Sequence, residues 1–285
     1  MGNFLRTHVA TARHKDKIHF YISSGGNAGL ACVSAARTLG APATVVVPRT
    51  TSDYMIAKLR AAGARDVVQV GDSWAEADGH LRDVVIPGAR VEGEEAVYVP
   101  PFDAQEVWDG HATLVEEVVE QLDGGMDAVV CSVGGGGLFS GIMQGLDAAG
   151  LGGTRVVAVE TEGAHSLALA LEKGRLATLP AITSIATSLG ARTVAAKAFE
   201  YAQRQSVKSV VLTDEEAIEG CVRFADDERI MVEPACGVSL ALCYEGRLKK
   251  ILSGLTEESK VVIVVCGGSN VSVDMLAKWT MQRND

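Results

Sequence analysis

Val130-Cys131-Ser132-Val133-Gly134-Gly135-Gly136-Gly137-Leu138-Phe139-Ser140-Gly141 passes from a β-branched apolar run into a helical pattern through four consecutive glycines. Residues 128–133 are nearly continuous in apolar character, as a strand covered on both faces must be. Residues 138–149 repeat apolar side chains at helical spacing. Without Cβ atoms the glycine backbone can turn several N–H groups toward one point, and the positive end of the following helix adds to their field. The loop reads as an anion cradle, since one or two glycines would suffice for a plain turn.

The same alternation extends in both directions. Residues 18–23, 43–47, 67–70, 96–99, 156–160, 207–212 and 261–266 are further strand candidates, and 28–39, 53–62, 105–122 and 215–225 are helical in period. Strand and helix in alternation imply α/β architecture with open, mostly parallel sheets and helices on both faces. Pro100-Pro101-Phe102-Asp103 is the strongest break, because consecutive prolines remove two donors and force extended backbone. It divides the chain into a small domain, 1–99, and a large one, 100–285. Residues 176–192 have no clean period and are expected to wrap the surface of the second half.

Composition narrows the function. Lys+Arg 26 against Asp+Glu 36 gives a net charge of −10, which opposes a phosphate backbone, so nucleic acid is not an expected partner. The longest aliphatic run, 261–266, is far short of the ~20 residues that span a bilayer. The start has neither the order of a secretion signal nor the composition of a transit peptide, and a cytoplasmic location is expected. Six scattered cysteines without a C-x-x-C pair read as buried reduced thiols. His111 and His165 belong to no metal-binding spacing.

The glycine loop lacks the Gly-Lys-Ser/Thr of a nucleoside triphosphate loop, because Ile142 follows Gly141. It fails the dinucleotide fingerprint in both frames, although Glu160 at the end of the next strand keeps a nicotinamide binder as a rival. Ser23-Ser24-Gly25-Gly26-Asn27-Ala28-Gly29 is a second strand-to-helix loop, able to bind a carboxylate or simply to cap the helix through Asn27. Cys266-Gly267-Gly268-Ser269-Asn270 follows the last strand, where open sheets place ligands. Glu233-Pro234-Ala235-Cys236-Gly237 reads as a proline-opened helix with a structural cysteine. No G-x-S-x-G elbow supports hydrolase chemistry.

These loops, with Val45-Val46-Val47-Pro48, Pro100-Pro101-Phe102-Asp103 and Glu160 through Ala164-His165-Ser166, occur in one order along essentially the whole chain. Together they resemble the serine/threonine dehydratases (ammonia-lyases) of the fold-type II pyridoxal-phosphate enzymes, which are tryptophan synthase beta-like in fold, and the eukaryotic catabolic L-serine dehydratases in particular. The resemblance implies that Gly134, Gly135, Gly136, Gly137 and Leu138 hold the cofactor phosphate. It places Asn27 at the ring hydroxyl and Cys266 at the pyridine nitrogen. Ser24, Gly25, Gly26 and Asn27 would grip the carboxylate of a small amino-acid substrate. Glu160 and the backbone oxygens of Gly134, Ala164, Leu189 and Ala191 would hold a monovalent cation such as potassium. The implied reaction is β-elimination of L-serine to pyruvate and ammonia, with L-threonine giving 2-oxobutanoate, and the implied assembly is a homodimer.

One departure stands beside these agreements. The resemblance places the Schiff-base lysine in a Ser-x-Lys-x-Arg-Gly motif immediately before the segment matching Met1-Gly2-Asn3-Phe4. None of the ten lysines of the sequence lies in such a motif. The expectation is a chain truncated before its catalytic lysine and weak or inactive as a dehydratase. A lysine-less ligand-binding paralogue and a β-replacement enzyme are the alternatives.

Overall fold

Each of the eight β-branched runs forms a strand, and every strand pairing among the described residues is parallel. The structure, a computed structural model, describes residues 1–122 and 125–284. It divides into two compact units, Met1–Gly110 and His111–Asp285.

In the first unit the order is α1 (Gly2–Thr11), β1 (Ile18–Ile22), α2 (Asn27–Thr38), β2 (Ala43–Val47), α3 (Asp53–Ala62), β3 (Asp66–Gln69), α4 (Trp74–His80), α5 (Ile86–Val91), β4 (Glu95–Tyr98) and the start of α6 (Gln105–Gln121). The strands lie in the order β3-β2-β1-β4. Alternate side chains leave opposite faces of the sheet, so Phe20, Ile22, Val45 and Val47 pack with Leu5, Val33 and Leu59 from α1, α2 and α3. Tyr21, Val46 and Ala96 face the other way, onto Ala77, Leu81 and Ile86. This second cover is built by α4 and α5, joined by a π-helical turn over Leu81–Val85, and the sequence pattern does not predict it. Ser52 caps α3 and Ser73 caps α4, each accepting an N–H of the first turn.

The second unit continues with β5 (Ala128–Ser132), α7 (Gly137–Ala148), β6 (Arg155–Thr161), α8 (Ser166–Lys173), α9 (Ala196–Ala202), β7 (Val207–Leu212), α10 (Asp214–Glu228), α11 (Pro234–Leu240), α12 (Arg247–Ile251), β8 (Val261–Ile263) and α13 (Val273–Asn284). Its strand order is β7-β6-β5-β8. Val130, Val157 and Val159 pack beneath Ala217, Ala235, Val238 and Leu242 of α10, α11 and the turn after them. Helix α7 buries Phe139, Ile142, Met143 and Leu146.

The contact division at Gly110 lies inside α6, where Val107 and Trp108 pack on the first unit's core and the Trp108 indole donates to the Phe102 carbonyl at 2.9 Å. Two expectations need correction. The last strand ends at Ile263, not 266, since the chain then turns through positive φ at Gly267 and Gly268. Cys243 and Cys266 are exposed; only the other four cysteines are buried, and all six are free.

Candidate active site

In a parallel sheet all strands end at the same edge, and each unit carries its glycine loops there. In the first unit the loop after β1 leads into α2. Gly26 is the N-cap residue and no side chain caps the helix, so Asn27 stands at the first helical position and is not the cap. The Ser24 hydroxyl accepts the Gly26 N–H at 3.4 Å. Gly25 presses on the loop after β2: a Cβ there would stand 2.8 Å from Thr51 Cγ2. Gly29 has no room for a side chain, because a Cβ would collide with the Ser24 carbonyl. A Cβ on Gly26 would meet nothing within 4 Å, so the loop is open on that side. Trp74, absent from the expectations, donates its indole N–H to the Ser23 carbonyl at 2.8 Å and so fixes where the loop leaves the strand.

In the second unit β5 and β8 are neighbours in register, Val130 opposite Ile263. The glycine loop after β5 and the Cys266 loop after β8 therefore leave the sheet side by side. Gly136 has φ 90° and is the N-cap residue of α7; a Cβ on it would collide with Ala198 of α9. A Cβ on Gly134 would stand 2.9 Å from Leu189 Cα and 3.2 Å from the Ser188 carbonyl oxygen. Backbone of residues 188–189 and the side chains of Val194 and Ala198 thus wall the loop closely. Helix α7 points its N-terminus at the loop, so the site supplies N–H groups and a positive helix end to an anion.

In sequence Glu233 reads only as part of a helix-opening motif, and its role comes from the structure. It is 2% exposed, its carboxylate accepts the Asn270 N–H at 2.7 Å, and it fills the space where a Cβ on Gly268 would be. Its own N–H donates to the Gly267 carbonyl at 2.9 Å. The Cys266 loop is therefore folded over Glu233. A sequence signal did exist: glutamate is a poor N-cap, so its place before Pro234 asks for another duty. Cys266 is exposed as a residue, yet desolvation around its sulfur, then Cys236 and Glu233 nearby, push the thiol above its ordinary value, so it stays a protonated, weak donor.

Glu160, at the end of β6, has no exposed surface. Its two oxygens accept the N–H groups of Leu167 and Ala168, each at 2.8 Å, which makes it a remote cap for α8. A carboxylate so enclosed cannot reach a ribose, and the nicotinamide rival loses its acid. Desolvation pushes its pKa up to about 7 against the pull of those two N–H groups. The hydroxyl of Ser166, the residue before Leu167 in the chain, is buried with no hydrogen-bond partner. A buried carboxylate and an orphaned hydroxyl are oxygen donors of the kind a hard monovalent cation takes. Ala164 lies between them in sequence, and Leu189 touches Gly134 while its carbonyl accepts the Ala191 N–H at 2.8 Å. None of the ten lysines is buried.

Two units of parallel sheet, each with glycine loops at the carboxyl edge, define an α/β protein with anion-binding loops, and similarity to known proteins gives the class. The family of pyridoxal-phosphate dependent enzymes matches residues 3–267, and the chain belongs to it. An L-serine dehydratase of Saccharomyces cerevisiae (strain RM11-1a) is 44% identical over 295 aligned positions, covering 100% of this chain and 87% of the relative. The human L-serine dehydratase/L-threonine deaminase is 44% identical over 264, covering 90% and 78%. Among solved structures, a fungal L-serine ammonia-lyase from Rhizomucor miehei superposes with a TM-score of 0.87 at 31% identity, covering 99% of this chain and 87% of that one.

Proposed function

We propose that this chain binds pyridoxal phosphate and is an L-serine and L-threonine ammonia-lyase by descent. The observation that carries the reading is the Gly134–Gly137 cradle, closely walled by residues 188–189, Val194 and Ala198 and followed by the N-terminus of α7. Gly134 through Leu138 hold the phosphate, Asn27 binds the ring hydroxyl, and Ser24, Gly25, Gly26 and Asn27 take the substrate carboxylate. When bound, pyridoxal phosphate supplies an electron sink for the pair left at the substrate Cα. Cys266, kept protonated, is too weak an acid to charge the ring nitrogen, which favours elimination over transamination. The overall change is redox-neutral: water is lost across Cα and Cβ, and hydrolysis then gives pyruvate and ammonia from serine.

The buried Glu160, with carbonyl oxygens of Gly134, Ala164, Leu189 and Ala191, supports a potassium site under the phosphate loop. A homodimer in the cytosol completes the proposal. None of the ten lysines is proposed as the cofactor anchor or the base.

The test is a titration with pyridoxal phosphate followed by its absorbance, then L-serine with pyruvate measured. Saturable binding competed by inorganic phosphate is expected. Binding without any pyruvate favours a ligand-binding paralogue; no binding ends the reading. Consumption of an added sulfur nucleophile would indicate β-replacement.

A further inference from the structure

Residues 176–192, which show no period, contain a hydrogen-bonded clamp. The Ser184 hydroxyl lies 2.6 Å from Asp214 Oδ1 and 2.8 Å from Thr161 Oγ1, and accepts the Ala186 N–H at 2.9 Å. A carboxylate only accepts, so the single Ser184 proton goes to Asp214, and Thr161 must donate to Ser184. Asp214 Oδ2 accepts the Ile185 N–H at 3.0 Å. Asp214 is itself fixed at the first position of α10, where Thr213 and Glu216 form a capping box and the helix end favours its charge. Ser184 and Thr161 are both buried.

The turn next to the clamp gives it a purpose. Thr187–Leu189 form a single 3₁₀ turn directly after the clamped residues. On one side Ser188 and Leu189 press their backbone against Gly134. On the other, the Thr187 hydroxyl accepts the Asn270 side-chain N–H at 3.0 Å. One turn therefore touches both the glycine loop after β5 and the Cys266 loop after β8, and Asp214 holds that turn in place. We infer that Asp214, acting through Ser184, is a positioning residue that sets the spacing between the loop for the phosphate and the loop for the ring nitrogen. The inference rests on the cofactor reading above.

A spacing device predicts a selective defect. Inorganic phosphate needs only the cradle, whereas pyridoxal phosphate must span both loops. In the full chain, Asp214→Asn turns an amide donor toward Ile185 N–H or Ser184 O–H, and Ser184→Ala removes the hinge of the clamp. Each variant should bind pyridoxal phosphate roughly tenfold more weakly, the scale of one lost charge-assisted hydrogen bond, with less than about a twofold change for inorganic phosphate. Ser184→Thr keeps the hydroxyl and should restore wild-type affinity. Thermal melts accompany each titration; if Asp214→Asn does not fold, the Ser184→Ala and Ser184→Thr pair decides. Unchanged pyridoxal-phosphate affinity in the folded variants, or equal losses for both ligands, overturns the inference. A wild-type chain that binds phosphate but not pyridoxal phosphate overturns the cofactor reading instead, and this inference with it.

Discussion

Glu160 combines complete burial with two backbone hydrogen bonds, and its raised pKa has a consequence for stability. The unfolded carboxyl loses its proton near 4.5, the folded one near 7. Between those values the folded chain binds more protons, so this residue's contribution is full below about pH 4.5 and declines as pH rises through 7. The loss reaches about 3 kcal/mol in order of magnitude. A cation beside the carboxylate would favour the ionised form and remove that loss. Melting temperature is therefore expected to fall between pH 5 and pH 8 in tetramethylammonium chloride, and to fall less in potassium chloride. Coincident melting curves in the two salts would count against a cation at Glu160. Glu160→Gln should flatten the pH dependence in both.

The two glycine loops differ as elements, and the difference dictates which substitution is informative. Gly136 combines positive φ with a neighbour where its Cβ would go, so Gly136→Ala should cost about 1–3 kcal/mol of stability, read from the denaturant midpoint. Any loss of ligand binding there would stem from a displaced loop. Gly26 has φ −110° and open space at its Cβ position. Gly26→Ala should cost no more than about 1 kcal/mol, the penalty of alanine at an N-cap, while weakening the hold on serine carboxylate, seen as a rise in KM at constant kcat in an active form of the enzyme. A large fall in melting temperature would show that the loop is closed on that side. The capping box of α10 offers a third case: Thr213→Ala should cost about 1 kcal/mol.

At the scale of the whole molecule, each unit has its own two-sided sheet and its own core, and a ligand held by native loops must raise the stability of the fold that holds it. Pyridoxal phosphate at a hundred times its Kd should stabilise the chain by about 2.7 kcal/mol, whereas NAD should give no shift. Thermal melts with each ligand check this. Protection by NAD alone would revive the nicotinamide reading that the enclosure of Glu160 argues against.

The sequence by itself determined the parallel α/β class, the strand positions to within a few residues, and the three glycine loops at strand ends. These are local properties: apolar runs, helical period and the absence of Cβ atoms act over neighbouring residues and need no partner. It did not reveal α4 and α5, whose short apolar sets show no period. Nor did it reveal that Glu160 caps α8, that Glu233 underlies the Cys266 loop, or that Ser184 joins Thr161 to Asp214. Only the tertiary structure decided those, because each duty belongs to a buried polar group whose partner was chosen by the packing of elements distant in the chain. For Glu233 and Asn270 that separation is 37 residues, and for Ser184 and Asp214 it is 30. A charged or hydroxyl side chain reads in sequence as surface, and becomes structural only when a fold removes the water around it and supplies the hydrogen bonds in its place.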